Sequence, residues 1–258
     1  NRCKKFVMAL VYGQKKEYRG VLKGNYFNSR ETLMVQFFVS RAINRLRYIY
    51  GDQFQSQLPE RSYIYFPLHT LPESATLTLS TEYFERDLIR HAAKEIPAHF
   101  VIAVKENPNM VGPRPYHYYE QIQSIPNVHL IDPSVSSKKL IKNSGGVTGI
   151  SGTALLEAAA LQKPTHCFGH PEFEAVVDYH GHGDFDQFVS RCLSNKGPVD
   201  PTRVTKYIQY VVDHGQNLPL RKVRNDPESD EFYRGLEVIE SMVRKEIATT
   251  DQNKKKSN

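Results

Sequence analysis

A short turn of small residues, Ser151-Gly152-Thr153, stands directly before an Ala- and Leu-rich segment that carries one acid, Glu157. Gly152 lets the backbone approach a ligand closely, and Ser151 and Thr153 are of the types that cap a helix whose first amides attract an anion. Glu157 follows four residues after Thr153, on the same helical face, where a carboxylate can accept hydrogen bonds from vicinal hydroxyls. Phosphate donors beside a diol acceptor favour a nucleotide or nucleotide sugar; a plain helix cap with a solvated acid is the alternative.

A second polar group follows the apolar run Phe100–Val104, which is predicted as a buried strand. It contains Lys105, then Asn107-Pro108, and further on Arg114. Open α/β sheets place ligand groups in loops at the carboxyl ends of strands. Lys105 and Arg114 are therefore predicted to neutralise a phosphate or diphosphate; solvated loop cations are the alternative.

A third group, His69 and Glu73, follows the apolar run Tyr63–Leu68 in a loop that two prolines stiffen. A histidine can protonate a leaving group and a carboxylate can act as a base, so these two are the predicted catalytic residues. A hydrogen-bonded loop histidine and a helix-start glutamate are the alternative. No metal and no cofactor are predicted, because the histidines around Asp178 lie in a Gly-rich loop rather than at helical ligand spacing. Dinucleotide, ATPase and hydrolase signatures are missing from the sequence.

The segments that must position these groups alternate between short apolar runs and helical patterns. The predicted strands are Tyr63–Leu68, Phe100–Val104, Val128–Ile131, Gly146–Ile150 and Thr165–Phe168. The predicted helices are Thr32–Tyr50, Thr81–Ile96, Tyr116–Ser124, Ser136–Asn143, Thr153–Gln162, Phe185–Leu193, Pro201–His214 and Phe232–Ile247. This alternation predicts an α/β fold: a Rossmann-like parallel sheet with helices on both faces.

Charge divides the chain of 258 residues into three predicted parts. Residues 1–58 carry a net charge of +8, whereas residues 59–258 carry −2. We predict a basic helical segment at 1–58, the remnant of a preceding domain, then an α/β domain with C-terminal helices at 59–247 and a disordered tail at 248–258. A basic, aromatic segment suits an anionic membrane face or, alternatively, a solvated helix. No nucleic-acid motif accompanies the charge, so nucleic acid is not a predicted partner. No run of about 20 apolar residues is present, and three scattered cysteines fit a reducing cytoplasm.

Several short motifs, taken in order, resemble the bacterial capsular polysaccharide biosynthesis proteins, a group that includes the capsule Kdo-transferases. The resemblance covers about residues 60–175. The motifs are Phe66-Pro67-Leu68-His69 with Pro72-Glu73, Val104-Lys105-Glu106-Asn107-Pro108 with Gly112 and Arg114, Pro126–Ile131, and Ser151-Gly152-Thr153 with Glu157-Ala158 and Lys163-Pro164. The loop after the second strand departs from the family, which commonly has His-Pro where this chain has Asn107-Pro108. Asn107 can donate to a phosphate but cannot carry a proton.

This resemblance implies the C-terminal, donor-nucleotide half of a GT-B glycosyltransferase, in which two Rossmann-like domains face each other. Residues 1–58 are too short for the acceptor half, which is then missing or supplied elsewhere. The implied function is transfer of a sugar from a nucleotide-activated donor to a growing polysaccharide or glycolipid, in the cytoplasm or at the cytoplasmic face of the inner membrane. The implied peripheral contact is with that membrane or with a capsule assembly complex. The alternatives are a non-catalytic capsule assembly or export accessory with a vestigial nucleotide site, and a nucleotide-sugar epimerase.

Overall fold

The computed structural model describes residues 29–51, 53–70 and 84–215, together with residues 230, 233–234 and 237–241. The chain divides into two compact units, Asn1–Val204 and Thr205–Asn258. The first unit contains the sheet. The second contains most of the last helix given below. The predicted domain boundaries at 58 and 247 remain predictions.

The described elements follow the predicted alternation closely. The strands are β1 (Tyr63–Pro67), β2 (Val101–Lys105), β3 (Val128–Ile131), β4 (Gly146–Gly149), β5 (Thr165–Cys167) and β6 (Tyr179–His180). The helices are α1 (Ser29–Tyr50), α2 (Glu85–Glu95), α3 (Tyr116–Gln123), α4 (Ser137–Asn143), α5 (Ala154–Ala160), α6 (Phe185–Leu193) and α7 (Arg203–His214). Short 3-10 helices occupy Pro108–Met110, Glu174–Val176 and His182–Asp184.

All strand pairs are parallel, and the six strands lie in the order β3-β2-β1-β4-β5-β6. This is the strand order of the Rossmann fold, in which β1 and β4 are neighbours and the chain continues in opposite directions from them. The predicted Rossmann-like parallel sheet is therefore confirmed. The two-residue strand β6 was not predicted, because so short a segment carries no readable alternation.

Helices cover both faces of the sheet. On one face Ile64 and Phe66 of β1 join a buried cluster that contains Leu88 of α2 and Phe188 of α6. On the other face the Tyr63 hydroxyl donates to the carbonyl of Leu140 in α4, at 2.9 Å. Successive side chains of a strand point to opposite faces, so the alternation along β1 separates the two helical layers.

Several predicted ends are wrong by one to four residues. The helix predicted at Thr153–Gln162 is α5, Ala154–Ala160, and it stops early because Gln162 has a positive φ of 57°. The helix predicted at Thr81–Ile96 is α2, Glu85–Glu95, and it begins after Phe84, whose backbone is not helical. Residues 71–83 lie outside the described residues. The closing helix predicted at Phe232–Ile247 is described only at 233–234 and 237–241, which are helical. The tail 248–258 lies outside the described residues.

In the parts of the chain that the structure describes, no helix is both long enough and apolar enough to span a bilayer.

Candidate functional site

A cleft of about 450 Å³ lies at the carboxyl ends of β1, β2 and β4. This is the switch point of the strand order, where open α/β sheets bind ligands. Seven of the nine predicted site residues line the cleft: His69, Lys105, Asn107, Ser151, Gly152, Thr153 and Glu157. Three separate stretches of sequence therefore converge on one cavity, as the strand-end argument predicts.

Lys105 is the last residue of β2 and supplies the one lysine or arginine among the described residues that line the cleft. Its side chain is largely buried, and Nζ donates to the Ser137 hydroxyl at 3.0 Å. Burial lowers the pKa of Lys105, and the carboxylates of Asp132, Glu106 and Glu157 oppose that shift. A cation held in this way can meet an anionic ligand with little loss of side-chain freedom.

The turn Ser151-Gly152-Thr153 leads into α5 beside the cleft. Thr153 occupies the N-cap position, but its side chain makes no capping hydrogen bond, so the predicted capping role of this hydroxyl is wrong. Thr153 has α-region dihedrals, with φ −57° and ψ −17°, whereas a capping side chain normally requires an extended backbone. Glu157 lies one turn further on, exposed to solvent and on the cleft wall. Neither the Thr153 hydroxyl nor the Glu157 carboxylate therefore serves as the cap of α5.

The His69 imidazole lies beneath this turn, with its side chain only 4% exposed. Nδ1 lies 3.1 Å from Glu85 Oε1, and Nε2 accepts the Ser151 backbone N–H at 3.3 Å. A Cβ atom added at Gly152 would come within 3.1 Å of Nε2, so the glycine permits the close packing of turn and ring. Both ring nitrogens of the predicted catalytic histidine are thus occupied by the protein itself.

Arg114 is not on the cleft wall, which contradicts the prediction that it meets the phosphate directly. Its side chain is 3% exposed. The guanidinium donates to Glu85 Oε2 at 3.0 Å and to the His69 carbonyl at 2.6 Å. Nε lies 2.6 Å from Glu106 Oε2 outside hydrogen-bonding alignment, so this contact is an ion pair. A buried guanidinium needs such partners, and they make Arg114 a brace between three loops.

The two buried carboxylates around Arg114 respond in opposite ways. Burial alone would raise the pKa of Glu85, but the hydrogen bond from His69 and the charge of Arg114 hold it below its usual value. For Glu106 burial prevails and raises the pKa to about 7, despite Arg114 and the Tyr119 hydroxyl, which donates to Oε2 at 2.8 Å. Glu106 lines the cleft as a group that titrates near neutral pH.

Asn107 and Glu73 complete the predicted set. Asn107 lines the cleft, and its Oδ1 accepts the backbone N–H of Asn109 at 3.0 Å, which caps the 3-10 helix Pro108–Met110. The side chain therefore has a local structural partner in addition to its place at the cleft. Glu73 lies outside the described residues.

Sequence reasoning missed Glu85 and Glu106 as members of the site. A signal existed for Glu85, because it lies on the same buried face of α2 as Leu88, Ile89 and Ala92. An acid at a core-facing helical position implies a buried partner. Glu106 offered no such signal, since a charged residue after a strand is ordinary in a loop.

The histidine-rich loop after β5 has its own internal contacts. His166 is fully buried, with Nδ1 2.8 Å from the Thr148 hydroxyl and Nε2 2.8 Å from the Gly181 carbonyl. Burial lowers the pKa of His166 to about 4. His180 Nδ1 lies 3.2 Å from Cys167 Sγ. Within the described residues no three His, Cys, Asp or Glu side chains converge in a metal-binding arrangement.

Comparison with known proteins gives one family and a set of remote structural likenesses. Residues 63–189 match the family described as capsule polysaccharide biosynthesis protein. No curated protein sequence matches the chain.

Three solved structures illustrate the structural likeness. The β-Kdo 2,7-transferase KpsC of Thermosulfurimonas dismutans is 12% identical, with 76% of this chain and 65% of that chain covered and a TM-score of 0.39. The β-Kdo 2,4-transferase KpsC of the same organism is 15% identical, with 72% and 65% covered and a TM-score of 0.37. The UDP-GlcNAc 2-epimerase of Neisseria meningitidis, bound to UDP-GlcNAc, is 15% identical, with 71% and 53% covered and a TM-score of 0.37. The chain spans about half to two thirds of the length of these structures.

Proposed function

Residues 63–189 belong to the capsule polysaccharide biosynthesis family, and from this premise we propose that the cleft binds a nucleotide-activated sugar. The protein would act as the donor half of a glycosyltransferase that extends a surface polysaccharide or glycolipid. The observation that carries the proposal is the convergence of Lys105, Asn107, the turn at Ser151–Thr153 and Glu157 on one cleft at the switch point of the sheet. The acceptor half would come from sequence outside the α/β domain or from a partner.

Each polar group has a defined part in this proposal. Lys105 would neutralise a donor phosphate and stabilise the charge that develops on it as the sugar leaves. The amide of Asn107 would donate to the same phosphate. Glu157, exposed at the cleft and one turn past Thr153, would accept hydrogen bonds from the ribose hydroxyls. The Thr153 hydroxyl makes no cap, which leaves it for the phosphate.

Calorimetric titration with nucleosides, nucleotides and nucleotide sugars tests the binding proposal. Glu157→Gln and Glu157→Ala should both weaken the binding of nucleosides and nucleotides alike, and Glu157→Ala should have the larger effect. Its loss should be about 1–3 kcal/mol, the range for a hydrogen bond to a charged group. Lys105→Met and Thr153→Ala should weaken nucleotides only. Lys139→Met, on the exposed side of α4, is the matched control and should change nothing. Equal affinity of all variants for every ligand would refute the proposed site.

A non-catalytic accessory with a nucleotide site is the second candidate. Two observations favour it: Asn107 cannot carry a proton and caps a local 3-10 helix, and both ring nitrogens of His69 are occupied. A donor-hydrolysis assay separates the candidates. Release of nucleotide from a nucleotide sugar supports the transferase, a changed sugar still attached to its nucleotide supports an epimerase, and tight binding without either supports the accessory.

We also propose peripheral attachment to the cytoplasmic face of the inner membrane through α1. Phe38, Leu46 and Ile49 are 61%, 53% and 58% exposed at helical spacing, and residues 37–49 contain arginines at 41, 45 and 47 but no acid. An apolar stripe bordered by cations suits an anionic lipid surface. Flotation with anionic vesicles should recover the protein, whereas Leu46→Asp should abolish flotation. If neutral vesicles recovered as much protein as anionic vesicles, the proposed contribution of the arginines would be contradicted.

A further inference from the structure

The contacts of His69 define its proton arrangement. The Ser151 backbone N–H is a donor, so Nε2, at 3.3 Å, must present its lone pair. The remaining proton then sits on Nδ1, which donates to Glu85 Oε1 at 3.1 Å. In this neutral form the imidazole offers no N–H to the cleft. A leaving group there could not take a proton from it without first breaking the contact with Ser151.

The ring is also the middle link of a buried chain. Arg114 holds Glu85 Oε2 at 3.0 Å and the His69 carbonyl at 2.6 Å. Glu85 in turn accepts from the His69 backbone N–H at 2.5 Å as well as facing Nδ1. The side chain of Glu85 is 0% exposed, and that of Arg114 is 3% exposed. Buried hydrogen bonds and ion pairs that are linked in this way hold their members rigidly. The network ends at the turn that Ser151 begins, which lines the cleft.

From this geometry we propose that His69 is a positioning residue rather than a proton donor: its neutral ring fixes the Ser151-Gly152-Thr153 turn in the shape that binds the donor phosphate. The ring does so by accepting the Ser151 amide from below and by packing against Gly152, where a Cβ would approach Nε2 to 3.1 Å. This inference rests on the proposed function of the cleft. It replaces the catalytic role predicted for His69 from the sequence.

Substitutions that mimic each half of the ring test the proposal. In His69→Gln the Oε1 atom can take the place of Nε2 as the acceptor for the Ser151 amide. In His69→Asn the amide can still reach Glu85, but the side chain is too short for Ser151. His69→Ala removes both contacts. Neither amide can transfer a proton at neutral pH, so the pair separates positioning from acid catalysis.

We expect His69→Gln to bind nucleotide and turn over donor within a few-fold of wild type. His69→Asn and His69→Ala should bind nucleotide at least about tenfold more weakly, the loss of one ordinary hydrogen bond that preorganises the site. Thermal denaturation of each variant reports any general loss of stability. The proposal would be overturned if His69→Gln bound nucleotide as weakly as His69→Ala does. It would also be overturned if His69→Asn and His69→Ala bound nucleotide as tightly as wild type. A general acid would instead lose turnover about 100-fold or more in all three with binding unchanged.

A second measurement uses the wild-type protein and needs no ligand. Nitrogen-15 NMR of the His69 ring should show Nδ1 protonated, Nε2 unprotonated and a scalar coupling between Nε2 and the Ser151 amide. The opposite tautomer, or no coupling, would overturn the proposal. Failure of the proposed function has a different signature: wild type would bind no nucleotide, while this spectrum would still show the contact between ring and turn.

Discussion

Replacing Glu106 with glutamine isolates the effect of one buried charge beneath the cleft. Glu106 is 1% exposed, and burial raises its pKa from an ordinary 4.5 to about 7 although Arg114 opposes the shift. The folded protein therefore binds this proton more tightly than the unfolded chain does. Its contribution to stability is complete below about pH 4.5 and is lost as the pH rises through about 7. At about 1.4 kcal/mol per pH unit, the loss amounts to about 3 kcal/mol.

Glutamine keeps the shape and the neutrality of the protonated side chain, so Glu106→Gln should remove this pH dependence. We expect the free energy of unfolding of the variant, minus that of wild type, to rise by about 3 kcal/mol between about pH 4.5 and pH 8. Urea denaturation of both proteins at closely spaced pH values measures this difference, and the subtraction cancels the titration of all unchanged groups. Tyr119→Phe removes a hydroxyl that favours the carboxylate, so in that variant the loss should move to higher pH.

Two outcomes would refute this reasoning. Parallel pH curves for wild type and Glu106→Gln would mean that Glu106 ionises in the fold as readily as in the unfolded chain. The charge of Arg114 would then balance the effect of burial. A difference that falls as the pH rises would mean that the ion pair prevails, with the pKa of Glu106 below its ordinary value.

The remaining expectations concern packing, capping and a buried histidine. Thr153→Ala should leave the free energy of unfolding unchanged, because that side chain caps nothing. Ser136→Ala should lose about 0.5–1 kcal/mol, because the Ser136 hydroxyl caps α4 by accepting the Lys139 N–H. Urea denaturation compares the two variants, and equal losses of stability would contradict the assignment of the caps. Gly146→Ala should cost about 1–3 kcal/mol in the same assay, since the added Cβ would lie 2.6 Å from Cys192 Sγ, and a stable variant would show that α6 can move aside. His166, with its pKa lowered to about 4 by burial, should stay neutral in proton NMR down to about pH 5. Its stability contribution, complete above about pH 6.5, should be lost as the pH falls from there through about 4. Titration near pH 6.5 would contradict its burial.

The sequence was sufficient for the elements of the sheet because each strand is short, apolar and followed by a helix with a clear pattern. Five of the six strands and the helices between them were predicted with small errors at their ends. One such error is at the end of α5, where the positive φ of Gln162 ends the helix before the apolar pattern ends. The strand order itself required the structure, since local periodicity says nothing about which strands are neighbours.

The cleft was predictable for a related reason, and the network beneath it was not. Residues that follow parallel strands must emerge at one edge of the sheet, so His69, Lys105 and Ser151 had to approach one another. What each does there depends on partners far away in the chain. Arg114 reads as a phosphate ligand until Glu85 and Glu106 are seen to enclose it. No local pattern specifies that Arg114 pairs with Glu85, 29 positions earlier in the chain.

A crystal structure of the protein with a nucleotide sugar tests the central claim most directly. The account predicts density in the cleft at the ends of β1, β2 and β4, with a phosphate within hydrogen-bonding distance of Lys105 Nζ and the ribose hydroxyls against Glu157. The His69 ring should remain in contact with the Ser151 amide in the complex. A nucleotide bound elsewhere, such as in the cavity beside His129 at the β3 edge, or a cleft left empty at saturating concentration, would contradict the account.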